Sequence, residues 1–95
     1  MSNLITLVIY DISSDNLRYN VAKFLKSKGL KRIQKSAFAG PLTSGERSDV
    51  EAGLRRFAKI EPVNIQLYPL TEASFKQRVI IGVRIDYDGE EDILL

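Results

Sequence analysis

The sequence predicts an α+β domain, an antiparallel sheet with two helices on one face, built in the order β-α-β-β-α-β and followed by a further C-terminal strand. Three observations predict it. Leu4–Asp11 is a short apolar run, rich in β-branched residues, that stops on a carboxylate. Two later segments repeat their apolar residues at helical spacing, and the segments between them read as strands. The last apolar stretch alternates with period two. The 95 residues suffice for one core and not for two. Residues 1–95 are therefore read as a single domain, with its core over about 4–70 and a C-terminal dimer strand and acidic tail over about 78–95.

The elements follow in order. Leu4 to Asp11 is a buried central strand, closed by the turn residues Ser13, Ser14, Asp15 and Asn16. Leu17, Val21, Phe24 and Leu25 form one helical stripe, with Ser14 or Asp15 as the cap and Gly29 as the stop. Leu30–Gln34 and Ala37–Leu42 are two short strands around Lys35-Ser36, and Gly40-Pro41 is expected to interrupt the second ladder at an edge or bulge. Thr43-x-x-Glu46 is a capping box that opens a second helix, with Val50, Leu54 and Phe57 facing inward and Pro62 beyond its end. Val63–Leu70 is the next strand, offering Val63, Ile65, Leu67 and Tyr68 to the core. Thr71–Gln77 is a connector with room for one helical turn. Arg78–Tyr87 is the last strand, with Val79, Ile81, Val83 and Ile85 on one face. The first six elements spell the ferredoxin-like arrangement. The seventh needs a buried face, and a second subunit would supply it.

Composition removes whole classes of chemistry. The chain has no cysteine, which excludes disulfides, thiolate nucleophiles and cysteine zinc sites. It has no histidine, which excludes a Ser-His triad, a histidine base and a histidine-held metal. Chemistry must then come from Asp, Glu, Lys, Arg, Tyr, Ser or a hard cation. No run reaches membrane-span length and no signal-peptide pattern opens the chain, so no membrane partner and a cytoplasmic location are expected.

The net charge of +2 conceals an asymmetry. Arg18, Lys23, Lys26, Lys28, Lys31, Arg32 and Lys35 carry half of the positive residues, and no acid occurs from Asn16 to Gly45. Asp86, Asp88, Glu90, Glu91 and Asp92 make the tail acidic. An uncompensated basic field points to nucleic acid, and a solvated lysine face is the plainer alternative. Asp11 has two readings as well. It either opens the turn through its own backbone or serves as a rigidly supported ligand at the end of a strand.

The string Val8-Ile9-Tyr10-Asp11-Ile12, followed by Asn16-Leu17-Arg18, Val21-Ala22-Lys23-Phe24-Leu25, Gly29-Leu30-Lys31-Arg32-Ile33-Gln34, Ser36-Ala37-Phe38 and Gly40, resembles the CRISPR-associated protein two family. These are small dimeric ferredoxin-like partners of the CRISPR integrase. The resemblance implies that Asp11 and a second copy's Asp11 hold one Mg²⁺ or Mn²⁺ across the dimer axis. It implies that Tyr10, Arg18, Arg32, Ser36 and Phe38 belong to the catalytic set. Some relatives carry a further basic residue where this chain has Asn20. The expected function is a metal-dependent endonuclease of CRISPR adaptation acting on RNA or DNA. The alternative is a non-catalytic homodimeric scaffold that binds DNA and bridges integrase subunits.

The chemistry is reasonable without histidine. A hard cation takes oxygen ligands and keeps several waters, so one or two carboxylates can hold it. Arginine forks can grip phosphate in a way lysine cannot. Arg18, Lys23, Lys26, Lys31, Arg32 and Lys35 are the expected nucleic-acid contacts. Each candidate also has a plainer role. Tyr10 and Phe38 can be core or interface rings, Arg18 can pair with Asp11 or Asp15, Arg32 can be an edge charge, and Ser36 can form a turn.

Overall fold

The computed structural model describes residues 3–83. Strand β1 (Leu4–Asp11) leads through the helix α1 (Asp15–Ser27) to β2 (Lys31–Gln34) and β3 (Ala37–Leu42). Helix α2 (Ser44–Phe57), strand β4 (Asn64–Leu70) and a short helix α3 (Glu72–Lys76) follow. The sheet is antiparallel, in the order β2-β3-β1-β4, which puts β1 at its centre as its apolar composition requires. The βαββαβ fold is therefore present.

Local chemistry explains the boundaries. Ser14 caps α1, its hydroxyl accepting from Leu17 N at 3.1 Å. Gly29 ends the helix with φ +88°, and Leu30 N donates to Leu25 O while Gly29 N donates to Lys26 O. That is a Schellman closure, and the left-handed residue it needs is why a glycine stands there. Thr43 and Glu46 form the expected capping box of α2.

Alternation along β1 divides the core between the two faces of the sheet. Val8 and Tyr10, with Phe38 and Leu42 of β3, face Leu17, Val21, Leu25, Val50 and Leu54 from the two long helices. Ile65 and Leu67 of β4 complete that layer. Ile5 and Ala39 lie on the other face, under Phe75 of α3. Thr71–Gln77 is thus more than a connector. Its single turn of helix drops an aromatic lid on half of the second face.

Two expectations need correction. Gly40 and Pro41 do not interrupt the ladder with β1, where they pair with Thr6 and Ile5. Tyr10 N donates to Ser36 O, so the hydrogen-bonded pairs of this ladder are 10–36, 8–38, 6–40 and 4–42. Pro41 falls between them, and its nitrogen faces the side where β2 has already ended at the Lys31–Ala39 pair. The irregularity sits instead in β2, between Arg32 and Gln34. Second, Tyr68 is 42% exposed on the face away from α1 and α2, because its β4 position has the wrong parity for the core. Within the single chain Arg78–Val83 forms no strand, and Val79, Ile81 and Val83 stand 80%, 91% and 85% exposed, as a segment expected to pair with a second subunit would be without one. The remainder of the expected last strand and the acidic tail lie outside the described residues.

Candidate nucleic-acid and metal site

The sheet end where β1 stops gathers several expected residues. Asp11 is exposed, and its backbone is paired with Asn64 at the start of β4. A carboxylate on the last residue of a central strand has rigid backbone behind it and solvent in front. The β1–α1 turn beside it is held by Arg18. Arg18 Nη1 donates to Ile12 O at 2.8 Å and to Ser13 O at 3.1 Å, and Nη2 is paired with the Asp15 carboxylate. Of the two partners expected for Arg18, the structure selects Asp15. The guanidinium therefore first orders the turn that follows Asp11, and it presents its remaining donors at the same end.

The β2–β3 hairpin borders this end from the other side. Ser36 O accepts from Tyr10 N at 3.0 Å, which ties the hairpin to β1 one residue before Asp11. Lys35 is exposed in the same turn. Ser36 acts here through its backbone as a turn residue.

Tyr10, Phe38 and Arg32 make a stack inside the fold. Tyr10 is 4% exposed and Phe38 is fully buried, with their rings 6.3 Å apart and inclined by 23°. The Arg32 guanidinium lies over the Phe38 ring, 5.0 Å from its centroid. Arg32 and Phe38 are register partners, which brings the charge and the ring onto one face. Neither ring reaches a polyanion directly. The two rings support the strand end and aim Arg32.

The basic residues that adjoin in sequence are spread in space. Lys23 and Lys26 are exposed on α1, and Lys28 lies over Phe24 at 5.5 Å. The helix places Lys26 about 12 Å from Arg18 along its axis. Lys31 opens β2 on the opposite sheet face from Arg32, level with Leu7 through Ala39. Of these residues Arg18 and Lys35 lie at the Asp11 end, Lys23 and Lys26 on the helix layer and Lys31 on the opposite sheet face, so they form no single pocket.

Asn64 and Gln66 were not singled out in the sequence and Tyr68 was assigned to the core, yet the three form a strip whose end lies opposite Asp11. They share the open face of the sheet with Asp11, Ile9 and Leu7, their respective register partners on β1. Gln66 Nε2 donates to Asn64 Oδ1 at 2.9 Å, and the Tyr68 hydroxyl donates to Gln66 Oε1. The signal that could have found them is the period-two spacing of polar side chains opposite the apolar Ile65 and Leu67.

No group of three His, Cys, Asp or Glu side chains gathers among the described residues. Asp11 stands at the sheet end as one exposed carboxylate, while the nearby Asp15 is engaged by Arg18. This oxygen-only donor suits a hard, mostly hydrated cation, provided a second copy contributes its own carboxylate. No helix among the described residues is long and apolar enough to cross a membrane.

Comparison with known proteins bears on this arrangement. The family model described as CRISPR associated protein Cas2 matches residues 4–78. A Korarchaeum cryptofilum protein named CRISPR-associated endoribonuclease Cas2 is 46% identical over 80 residues, which is 84% of this chain and 86% of that one. The crystal structure of Streptococcus pyogenes Cas2 superposes with a TM-score of 0.71 at 24% identity, covering 83% of this chain and all of the other. A chain of a structure described as a partial Cas6-RT-Cas1–Cas2 complex superposes with a TM-score of 0.67 at 24% identity, covering 82% of this chain and 90% of that one.

Proposed function

The chain belongs to the CRISPR-associated protein Cas2 family, and from that premise we propose that it is a homodimeric, metal-dependent endonuclease of CRISPR adaptation, acting on nucleic acid in the cytoplasm. The observation that carries the reading is Asp11, an exposed carboxylate on the last residue of the central strand, beside a turn clamped by arginine. The relatives' names favour RNA as substrate.

The residues would divide the work as follows. Asp11 of each copy would hold one Mg²⁺ or Mn²⁺. Such an ion, when bound, activates water and neutralises charge on the phosphate. Arg18 keeps the Asp11 turn in place and offers its remaining donors to phosphate, with Lys35 across the site. Tyr10 and Phe38 stiffen the strand end, and the face of the Phe38 ring packs against the Arg32 guanidinium. Lys23, Lys26 and Lys31 draw the polyanion in from the flank. The homodimer reading is supported by the exposed apolar residues Ile9, Tyr68, Val79, Ile81 and Val83, since a patch of that kind marks an interface.

The scaffold reading is favoured by a different observation. Tyr10 and Phe38 are core rings and Arg18 is committed to the turn, which leaves few free groups for chemistry. In that reading the exposed basic residues hold DNA and the protein bridges integrase subunits, a role in keeping with its likeness to a chain of the partial Cas6-RT-Cas1–Cas2 complex.

One experiment separates the two. Asp11→Asn keeps the size and turn-forming capacity and removes the charge. The nuclease reading expects cleavage to fall by orders of magnitude while nucleic-acid affinity holds or rises, and expects EDTA to abolish wild-type cleavage until Mg²⁺ or Mn²⁺ is restored. Full activity in the Asn variant, or no wild-type cleavage under any metal condition, leaves the scaffold.

A further inference from the structure

We propose that Asn64 is a further substrate-positioning residue, its side-chain amide donating to a non-bridging phosphate oxygen held beside Asp11. The inference rests on the nucleic-acid reading above. Asn64, Gln66 and Tyr68 alternate along β4, so all three side chains rise from the face that carries Asp11. They are joined by side-chain hydrogen bonds running in one direction, Tyr68 hydroxyl to Gln66 Oε1 and Gln66 Nε2 to Asn64 Oδ1. Such side-chain pairs are the least common class of protein hydrogen bond, and two in series polarise one another.

The direction of the relay is what matters. With its oxygen engaged by Gln66, Asn64 keeps its N–H₂ group as the open donor at the Asp11 end of the strip. Directly opposed residues of an antiparallel pair have Cβ atoms about 5 Å apart, close enough for one phosphate to touch both neighbourhoods. A lone carboxylate repels phosphate, and a neutral donor beside it gives the phosphate an anchor without adding charge. The Tyr68 hydroxyl acts two side chains away by fixing which amide atoms face where.

The test is equilibrium binding of a fluorescein-labelled single-stranded RNA, followed by anisotropy at low salt in EDTA, so that no turnover is needed. Asn64→Ala should weaken affinity about ten- to a hundredfold, the range for one hydrogen bond to a charged acceptor. Asn64→Asp should weaken it further, by repulsion. Tyr68→Phe should weaken binding about twofold in the wild type and add nothing to Asn64→Ala, because the relay has then lost its end point. Charge reversal of Lys23 and Lys26 serves as the reference. If that reversal weakens binding and Asn64→Ala does not, the proposal is overturned and the nucleic-acid reading stands. If neither does, both fall. Additive losses from Tyr68→Phe and Asn64→Ala would also overturn the relay.

Discussion

Replacing Phe38 by Leu tests whether this ring touches nucleic acid or only supports the site. Phe38 is fully buried, with the Tyr10 ring at 6.3 Å and the Arg32 guanidinium at 5.0 Å. Leucine nearly fills the volume, so the transfer loss is small, but both ring interactions disappear. An aromatic pair contributes about 0.5–1.5 kcal/mol beyond its burial. A partly exposed cation–π contact contributes about 0.5–1 kcal/mol. The expected loss is thus about 1–2.5 kcal/mol, which for a domain of this size lowers Tm by roughly 5–15 °C. Melting should be followed at one fixed protomer concentration, because dimerisation would make Tm depend on it. Well below the melting range, affinity for a labelled RNA should stay within about twofold of wild type, a buried ring making no hydrogen bond to lose. A tenfold loss of affinity at unchanged Tm would put the ring in contact with nucleic acid and refute the supporting role.

Three other outcomes are expected. Reversing Lys23 and Lys26 should flatten the dependence of log affinity on log salt by about 0.7–0.9 per lost phosphate contact, read by binding titrations at several salt concentrations. Gly53→Ala places a Cβ 2.2 Å from Phe24 Cζ, and that ring is braced edge-on against Phe57 at 5.6 Å. Overpacking of about 1–3 kcal/mol should exceed the roughly 1 kcal/mol of helix propensity regained, so urea denaturation should show a net loss that Phe24→Leu restores. Truncation after Gln77 removes the exposed Val79, Ile80, Ile81 and Val83, and sedimentation should shift from dimer to monomer. A folded full-length monomer at micromolar concentration would refute the dimer.

What sequence alone determined was whatever depends on local periodicity and on short-range capping. Seven apolar-leaning residues before Asp11 could only be a central strand, and Thr43-x-x-Glu46 could only open a helix, because the partners of a capping box lie within one turn. The βαββαβ order followed from those signals, and Asp11, Arg18 and Arg32 were picked out through the family resemblance. Tertiary structure decided what depends on parity and on contacts distant in sequence. Whether Tyr68 is core or surface turns on the register of β4 against β1. Whether Phe38 meets a ligand or a guanidinium turns on its pairing with β2. The partner of Arg18 turned on the path of a turn whose carbonyls carry no mark in the sequence. The strip from Tyr68 to Asn64 had a visible period but no visible neighbour. Only the antiparallel pairing of β4 with β1 brings it to Asp11, across more than fifty residues of chain.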